Sequence, residues 1–195
     1  MIASARMDNQ NADIAALLYN IAVYSDESSY RRIFDIFFLP LKRFAYNFLK
    51  SPEQAEEIAS DVLIVVWENR HKLTTIENLR VYLFVIARNK CINLLRSRQA
   101  NATVSLDDIP VDFAFSGKNP EQLCITSEVR KKIEKTVNAL PQRCKLIFKL
   151  VKEENMSYRE VAAILNISVK TVDAQLVTAL KKITEAIRID YAAAI

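Results

Sequence analysis

The sequence predicts an all-α protein made of two small helical domains, an N-terminal helical bundle and a C-terminal helix-turn-helix domain, joined by a flexible linker. Apolar residues recur at every third or fourth position over most of the chain, the period of a helix with one buried face. Glycine occurs once in 195 residues, at Gly117, so the tight hairpins of a sheet protein lack their usual turn residue. Between residues 99 and 119 the periodicity stops. Asp107, Asp108, Pro110, Ser116, Gly117 and Asn119 gather there, and Pro120 follows, as in a linker.

The N-terminal domain, residues 1–98, opens with a helix from Ala12 to about Val23, where Ile14, Leu17, Leu18 and Ile21 share a face. The order of Ala3 to Asn11 is left open. A second helix, from about Ser29 to Leu49, turns Ile33, Phe37, Leu41, Phe44, Ala45 and Phe48 inward. Pro40 lies inside it and predicts a kink or interruption, because proline has no N–H and its ring meets the preceding turn. Ser51-Pro52-Glu53-Gln54 predicts a third helix start: Ser51 caps, Pro52 suits the first helical position, and Gln54 stands where a capping box closes. That helix runs to about Arg70 and buries Ala55, Ile58, Ala59, Val62 and Val66. Its other side carries Glu53, Glu57, Asp61, Ile64 and Glu68, with Trp67 exposed on the flank. A fourth helix, Leu79 to about Arg98, points Leu83, Phe84, Ala87, Cys91, Leu94 and Leu95 inward. Tyr82, Asn89, Asn93 and Arg96 line its outer face.

The linker holds Ile109, Val111, Phe113 and Phe115, too apolar for a pure spacer and suited to docking on a partner. The second domain, residues 120–188, begins with a helix from near Pro120 through about Ala139, and residues 189–195 form a tail. Leu140-Pro141 ends the first helix and opens another, to about Lys152. Residues 157–183 then carry the sharpest signal. Ser157 and Glu160 form a capping box before a short helix with Val161, Ala162 and Leu165 inward. Asn166 holds the turn position usually given to glycine, and tolerates a left-handed backbone. Ser168 caps a second helix whose core stripe is Val169, Val172, Leu176, Leu180 and Ile183. The exposed side carries Lys170, Thr171, Ala174, Gln175, Thr178, Lys181 and Lys182. This is a helix-turn-helix, and short, amide and basic side chains on its second helix suit base edges and phosphates in a major groove.

Charge agrees. Residues 130–188 carry thirteen Lys or Arg against six Asp or Glu, although the whole chain is only +4. From Asn78 to Leu106 there is no acidic residue, while Arg80, Arg88, Lys90, Arg96 and Arg98 accumulate. Two basic zones suggest a polyanion held at two places. One glycine excludes phosphate-cradling and dinucleotide loops. The single His71 and the dispersed Cys91, Cys124 and Cys144 offer no metal-ligand spacing and no clustered catalytic set, so neither an enzyme nor a cofactor or metal is expected. Free thiols and the lack of an apolar run of about 20 residues predict a cytoplasmic protein without membrane insertion.

On these motifs the chain resembles the sigma-70 family, specifically its small extracytoplasmic-function (ECF) group, from about Leu17 to Ile187. SPEQAEEIASDVLIVVWENRHKL is similar to the region-two helix that binds the clamp of core RNA polymerase, which implies that role for Glu57, Asp61, Ile64, Trp67 and Glu68. NLRVYLFVIARNKCINLLRSR resembles the segment that melts the promoter −10 element, implying strand contacts by Tyr82, Arg88, Asn89, Asn93 and Arg96. LPQRCKLIFKLVKEENMSYREVAAILNISVKTVDAQLVTALKKI resembles the region-four domain that reads −35 DNA with Lys170, Thr171, Ala174, Gln175 and Thr178, and with Lys181 and Lys182 on phosphate. The residues fit independently: carboxylates beside a tryptophan suit a basic protein surface, and an aromatic with amides and cations suits single-stranded DNA. The chain departs from the family in Pro40 and in Tyr82-Leu83, where tryptophan is frequent. In the loop from His71 to Asn78 only Thr74, Thr75 and Asn78 are polar candidates for holding a flipped base. The resemblance further implies core RNA polymerase, promoter DNA and an anti-sigma factor as partners, and a monomer when free. The alternative is a conventional helix-turn-helix regulator acting as a dimer without polymerase, and a helical adaptor that binds only protein is a third class.

Overall fold

A computed structural model of the chain describes residues 2–98 and 127–193, with side chains for 13–98 and 128–187. The linker expected at 99–119, the helix start near Pro120, and Cys124 lie outside the described residues. Among the described residues there are helices and turns and no strand. Contacts divide the chain into two units, Met1–Arg98 and Gln99–Ile195.

The first unit contains α1 (Ile2–Tyr24), α2 (Glu27–Leu49), α3 (Pro52–Glu68), a 3-10 helix (Arg70–Thr75) and α4 (Leu79–Arg98). Helix α2 is the hub, packing against α1, α3 and α4, while α1 also covers the 3-10 turn. All six apolar residues that the sequence turns inward on α2 are buried, each worth roughly 1.5–3 kcal/mol for the larger side chains. Two small residues, Ala55 and Ala59, are fully buried on α3 and let it approach α2 closely; Leu63, outside the expected stripe, is buried too. Leu94 and Leu95, expected inward, are only half-buried, in the last turns of α4.

Pro40 does not interrupt α2, which runs unbroken from Glu27 to Leu49. The proline removes one hydrogen bond, to the Ile36 carbonyl, on an outward turn where Ile36 is exposed. Buried Ile33 and Phe37 before it, and Leu41 and Phe44 after it, hold both halves in line. The capping box at Ser51 forms only in part. Ser51 Oγ accepts from the Gln54 N–H at 3.3 Å, but it donates to Glu53 Oε2 at 2.8 Å, and Gln54 Oε1 is buried without a partner.

The second unit contains α5 (Ser127–Asn138), α6 (Gln142–Lys152), α7 (Tyr158–Leu165) and α8 (Val169–Ala193), with α8 packed against the other three. Ser157 Oγ accepts from the Glu160 N–H at 3.3 Å and Glu160 Oε2 accepts from the Ser157 N–H at 2.8 Å, so this capping box is complete. Asn166 takes φ 56° and ψ 52° after α7, and Ser168 Oγ accepts from the Thr171 N–H at 3.0 Å. The core stripe of α8 is Val172, Leu176, Ala179 and Ile183. Val169 and Leu180, expected in that stripe, are exposed instead. The 4-3-4 spacing of the buried four keeps one narrow seam, and Val169 and Leu180 fall beside it. Helix α8 continues to Ala193, into the segment read as a tail. Among the described residues no single helix is long and apolar enough to cross a membrane.

Helix ends manage without glycine. Ser25, Lys50, Asn155 and Asn166 all take positive φ between 50° and 56°. Asp26 caps α2 through the Ser28 and Ser29 N–H groups at 3.3 and 2.9 Å, and hydrogen bonds from Ser29 and Ser28 pull its carboxyl from 3.8 down to about 2. Because that value is depressed in the folded state, the stabilisation is complete above pH 3.8 and is lost as pH falls through about 2. Thermal melts of wild type and Asp26→Asn should therefore differ most near neutrality, wild type higher, and converge as pH approaches 2. At the helix-turn-helix corner, Asn166→Val should lower stability by about 1–2 kcal/mol, as read from denaturant midpoints. Asn166→Gly should stay within about 0.5 kcal/mol of wild type.

Candidate protein and nucleic-acid interfaces

The outward face of α3 carries Glu57, Ile64 and Glu68 exposed, with Ile64 49% accessible and therefore an apolar side chain without cover among the described residues. Asp61 shares this face but already has a partner: Lys90 Nζ of α4 donates to its Oδ2 at 2.8 Å. Trp67 is not the freely exposed flank residue expected from sequence. It is half-buried between the Tyr30 ring, 5.1 Å away, and the Arg70 guanidinium, 5.1 Å from the indole centroid. Arg70 is held in turn by the Trp67 carbonyl and by Ser25 Oγ, both at 3.1 Å.

Trp67 and Ile64 form one wall of a cleft of about 530 Å³, closed from the α2 side by Glu27, Tyr30, Arg31, Phe34 and Asp35. Phe34 stacks on Phe38 at 5.0 Å, so an aromatic row runs from Trp67 through Tyr30 and Phe34 to Phe38. The Tyr30 hydroxyl donates to the Leu63 carbonyl at 3.1 Å and fixes α2 to α3, and burial pushes its pKa up. Sequence reading missed the α2 wall. A signal was present, because Tyr30, Phe34 and Phe38 repeat every four residues, one position round from the buried Ile33, Phe37 and Leu41.

On α4, Asn89, Asn93 and Arg96 are exposed and lie on one stripe with half-buried Tyr82. Arg88 points about 120° away from that stripe by helical geometry. It is partly desolvated, which lowers its pKa, and its Nη2 reaches Asn89 Oδ1 at 2.9 Å. The stretch before α4 is not an open loop. It folds as the 3-10 helix around buried Leu73, Thr75 Oγ1 donates to the Lys72 carbonyl at 2.8 Å, and Asn78 Oδ1 accepts from the Val81 N–H at 3.0 Å. Of the three polar candidates in that stretch, Thr75 and Asn78 are therefore occupied with local structure, and Thr74 stands exposed.

On α8, Lys170, Ala174 and Lys181 lie at the centre of the exposed face, with Thr178 exposed beside them. Exposed Val177 joins this centre. Thr171 and Gln175 are half-buried at its edge: Thr171 Oγ1 lies 2.8 Å from Ser168 Oγ, and the Gln175 carbonyl accepts from Cys144 Sγ at 3.2 Å. Thr178 Oγ1 donates back to the Ala174 carbonyl at 2.9 Å. Lys182 is exposed on the α6 side, near enough to Cys144 to act on its thiol, though burial dominates and raises that pKa. The other described cysteine, Cys91, is buried in the first unit, and burial raises its thiol to about 12. Both are inert core residues. Among the described residues no three His, Cys, Asp or Glu side chains come together as a metal site.

The arrangement offers an acidic, aromatic face on α3, an amide and cation face on α4, and a basic face on the second helix of a helix-turn-helix. Comparison with known proteins gives the family. The family model "Sigma-70 region 2" matches residues 39–101, and "Sigma-70, region 4" matches residues 130–183. The chain is 23% identical over 180 residues to the ECF RNA polymerase sigma factor RpoE of Cereibacter sphaeroides, spanning 91% of this chain and 96% of that protein. It is 22% identical over 158 residues to the ECF RNA polymerase sigma factor SigW of Bacillus subtilis, spanning 77% and 84%. Among solved structures, CnrH in complex with the cytosolic domain of CnrY shares the fold with a TM-score of 0.56 at 19% identity, over 91% of this chain and 99% of that one. The sigma factor RpoE of Bartonella quintana in complex with the anti-sigma factor NepR gives 0.53 at 22% identity, over 82% and 97%. With both regions matched in order along most of its described length, the chain belongs to the sigma-70 family, in the ECF group.

Proposed function

We propose that this ECF sigma factor directs core RNA polymerase to its promoters by reading −35 DNA with α8 and by opening and holding the −10 element with α4. The observation that carries the reading is the presence of two unlike DNA-suited faces on separate units of one chain. Residues 1–98 bind the polymerase clamp through Glu57, Asp61, Ile64, Trp67 and Glu68, and the α2 wall of the cleft extends that surface. The Tyr82, Asn89, Asn93 and Arg96 stripe holds the unpaired strand by stacking, amide hydrogen bonds and phosphate contacts. Arg88 supports it through Asn89. Residues 120–188 read the major groove with Lys170, Thr171, Ala174, Gln175 and Thr178, while Lys181 and Lys182 meet phosphate. Melting is driven by binding energy, and the factor needs neither nucleotide nor metal of its own. The solved relatives in complex with NepR and with the CnrY cytosolic domain support an anti-sigma partner here, and the proposal has that partner cover the polymerase-binding face. A free monomer acting in the cytoplasm completes the proposal.

Size-exclusion chromatography with sigma-free core polymerase tests it. The chain should co-elute at one-to-one stoichiometry, and Trp67→Ala with Glu57→Lys should weaken that association at least ~30-fold, the scale of losing one anchor residue. A chain that runs alone as a dimer and binds symmetric operator DNA would be the conventional regulator instead. In the assembled enzyme, Lys181→Ala should weaken −35 duplex binding for every sequence alike and reduce the slope of log affinity against log salt by about 0.9.

A further inference from the structure

The faces assigned to polymerase and to the unpaired strand are joined by one ion pair. Lys90 Nζ on α4 donates to Asp61 Oδ2 on α3 at 2.8 Å, and both side chains remain partly accessible, 33% for Lys90 and 45% for Asp61. A pair this open to water holds its partners together by no more than about fivefold, so a basic partner surface can take Asp61 away. Lys90 then loses its carboxylate in a stretch with no other: Asn78 to Leu106 contains no acidic residue. Its stem leaves α4 about 100° round the helix from Asn89 and about 60° from Asn93, on the flank of the strand-holding stripe that turns toward α3, and it is long enough to swing to that stripe. With polymerase also facing Glu57, one turn before Asp61 on the same side of α3, a flexible ammonium released there can turn to a DNA phosphate.

We propose that Lys90 is a phosphate contact for the unpaired promoter strand, withheld by Asp61 in the free factor and released when polymerase engages α3. This rests on the reading of α3 and α4 given above. It gives the factor a built-in reason to hold single-stranded DNA better as part of the holoenzyme than alone. By reciprocity, a bound strand that draws Lys90 away leaves Asp61 freer for polymerase.

The test titrates single-stranded −10 oligonucleotide against free chain and holoenzyme over a range of salt, for wild type and Lys90→Gln, with core affinity measured in parallel. Lys90→Gln should flatten the log–log salt slope by about 0.7, one single-strand phosphate contact, in the holoenzyme, and by clearly less in the free chain, where Asp61 competes for the ammonium. Core affinity should rise about threefold, because Asp61 has lost its internal competitor. In the free chain, Asp61→Asn should strengthen oligonucleotide binding about threefold, and Asp61→Asn with Lys90→Gln should cancel that gain. Identical holoenzyme slopes for wild type and Lys90→Gln would overturn the contact while leaving the sigma reading intact. An equal slope change in free chain and holoenzyme would overturn the release, and weaker core binding by Lys90→Gln would mean that Lys90 positions Asp61 instead. Wild-type chain that fails to bind core would sink the underlying reading as well.

Discussion

Close packing of α3 on α2 is the constraint from which the working surfaces of the first unit follow. Ala55, Ala59, Val62, Leu63 and Val66 are fully buried on the packed side of α3, and two of the five are alanine, so little side chain stands between α3 and its neighbours. Once one side of α3 is spent on this contact, Glu57, Ile64 and Glu68 have only solvent or a partner to face. The Tyr30 hydroxyl on the Leu63 carbonyl ties the same seam at one end. It also sets Tyr30 against Trp67, so the tryptophan is held in the wall of a cleft rather than loose on the surface. An anchor held this way loses little side-chain freedom on binding.

The second unit solves a different problem with the same economy of glycine. A helix-turn-helix needs a sharp corner, and Asn166 supplies the left-handed residue there while Ser157 and Ser168 satisfy the exposed N–H groups on either side. Val172, Leu176, Ala179 and Ile183 then lock α8 against α5, α6 and α7 along a narrow seam. A narrow seam leaves a broad outer face, and that face carries Lys170, Ala174, Thr178 and Lys181 where a groove can receive them.

What could be read from sequence was what is local. The capping box at Ser157, the turn at Asn166 and the burial stripes of α2 and α3 are each written within a few neighbouring residues, and the structure has them. Long-range features were not legible. Asp61 and Lys90 are 29 positions apart, and nothing in either helix's own pattern pairs them. The cleft depends on how α2 and α3 cross, so Trp67 read as exposed until Tyr30 and Arg70 closed on it. Pro40 misled for a related reason: a local rule against proline gave way to burial on both sides of it. Ser51 misled in the opposite sense: it caps the Gln54 N–H as expected, but a correct cap does not oblige the Gln54 side chain to return to the Ser51 backbone, and Gln54 Oε1 stays buried without a partner.

Strand opening by the assembled enzyme is the central claim, and permanganate reactivity of thymines in promoter DNA measures it most directly. With core polymerase and this chain together, thymines in the −10 element should become reactive, and neither component alone should expose them. Unreactive thymines in a complex that does contain the chain, or reactivity that persists without it, would contradict the assignment of melting to α4.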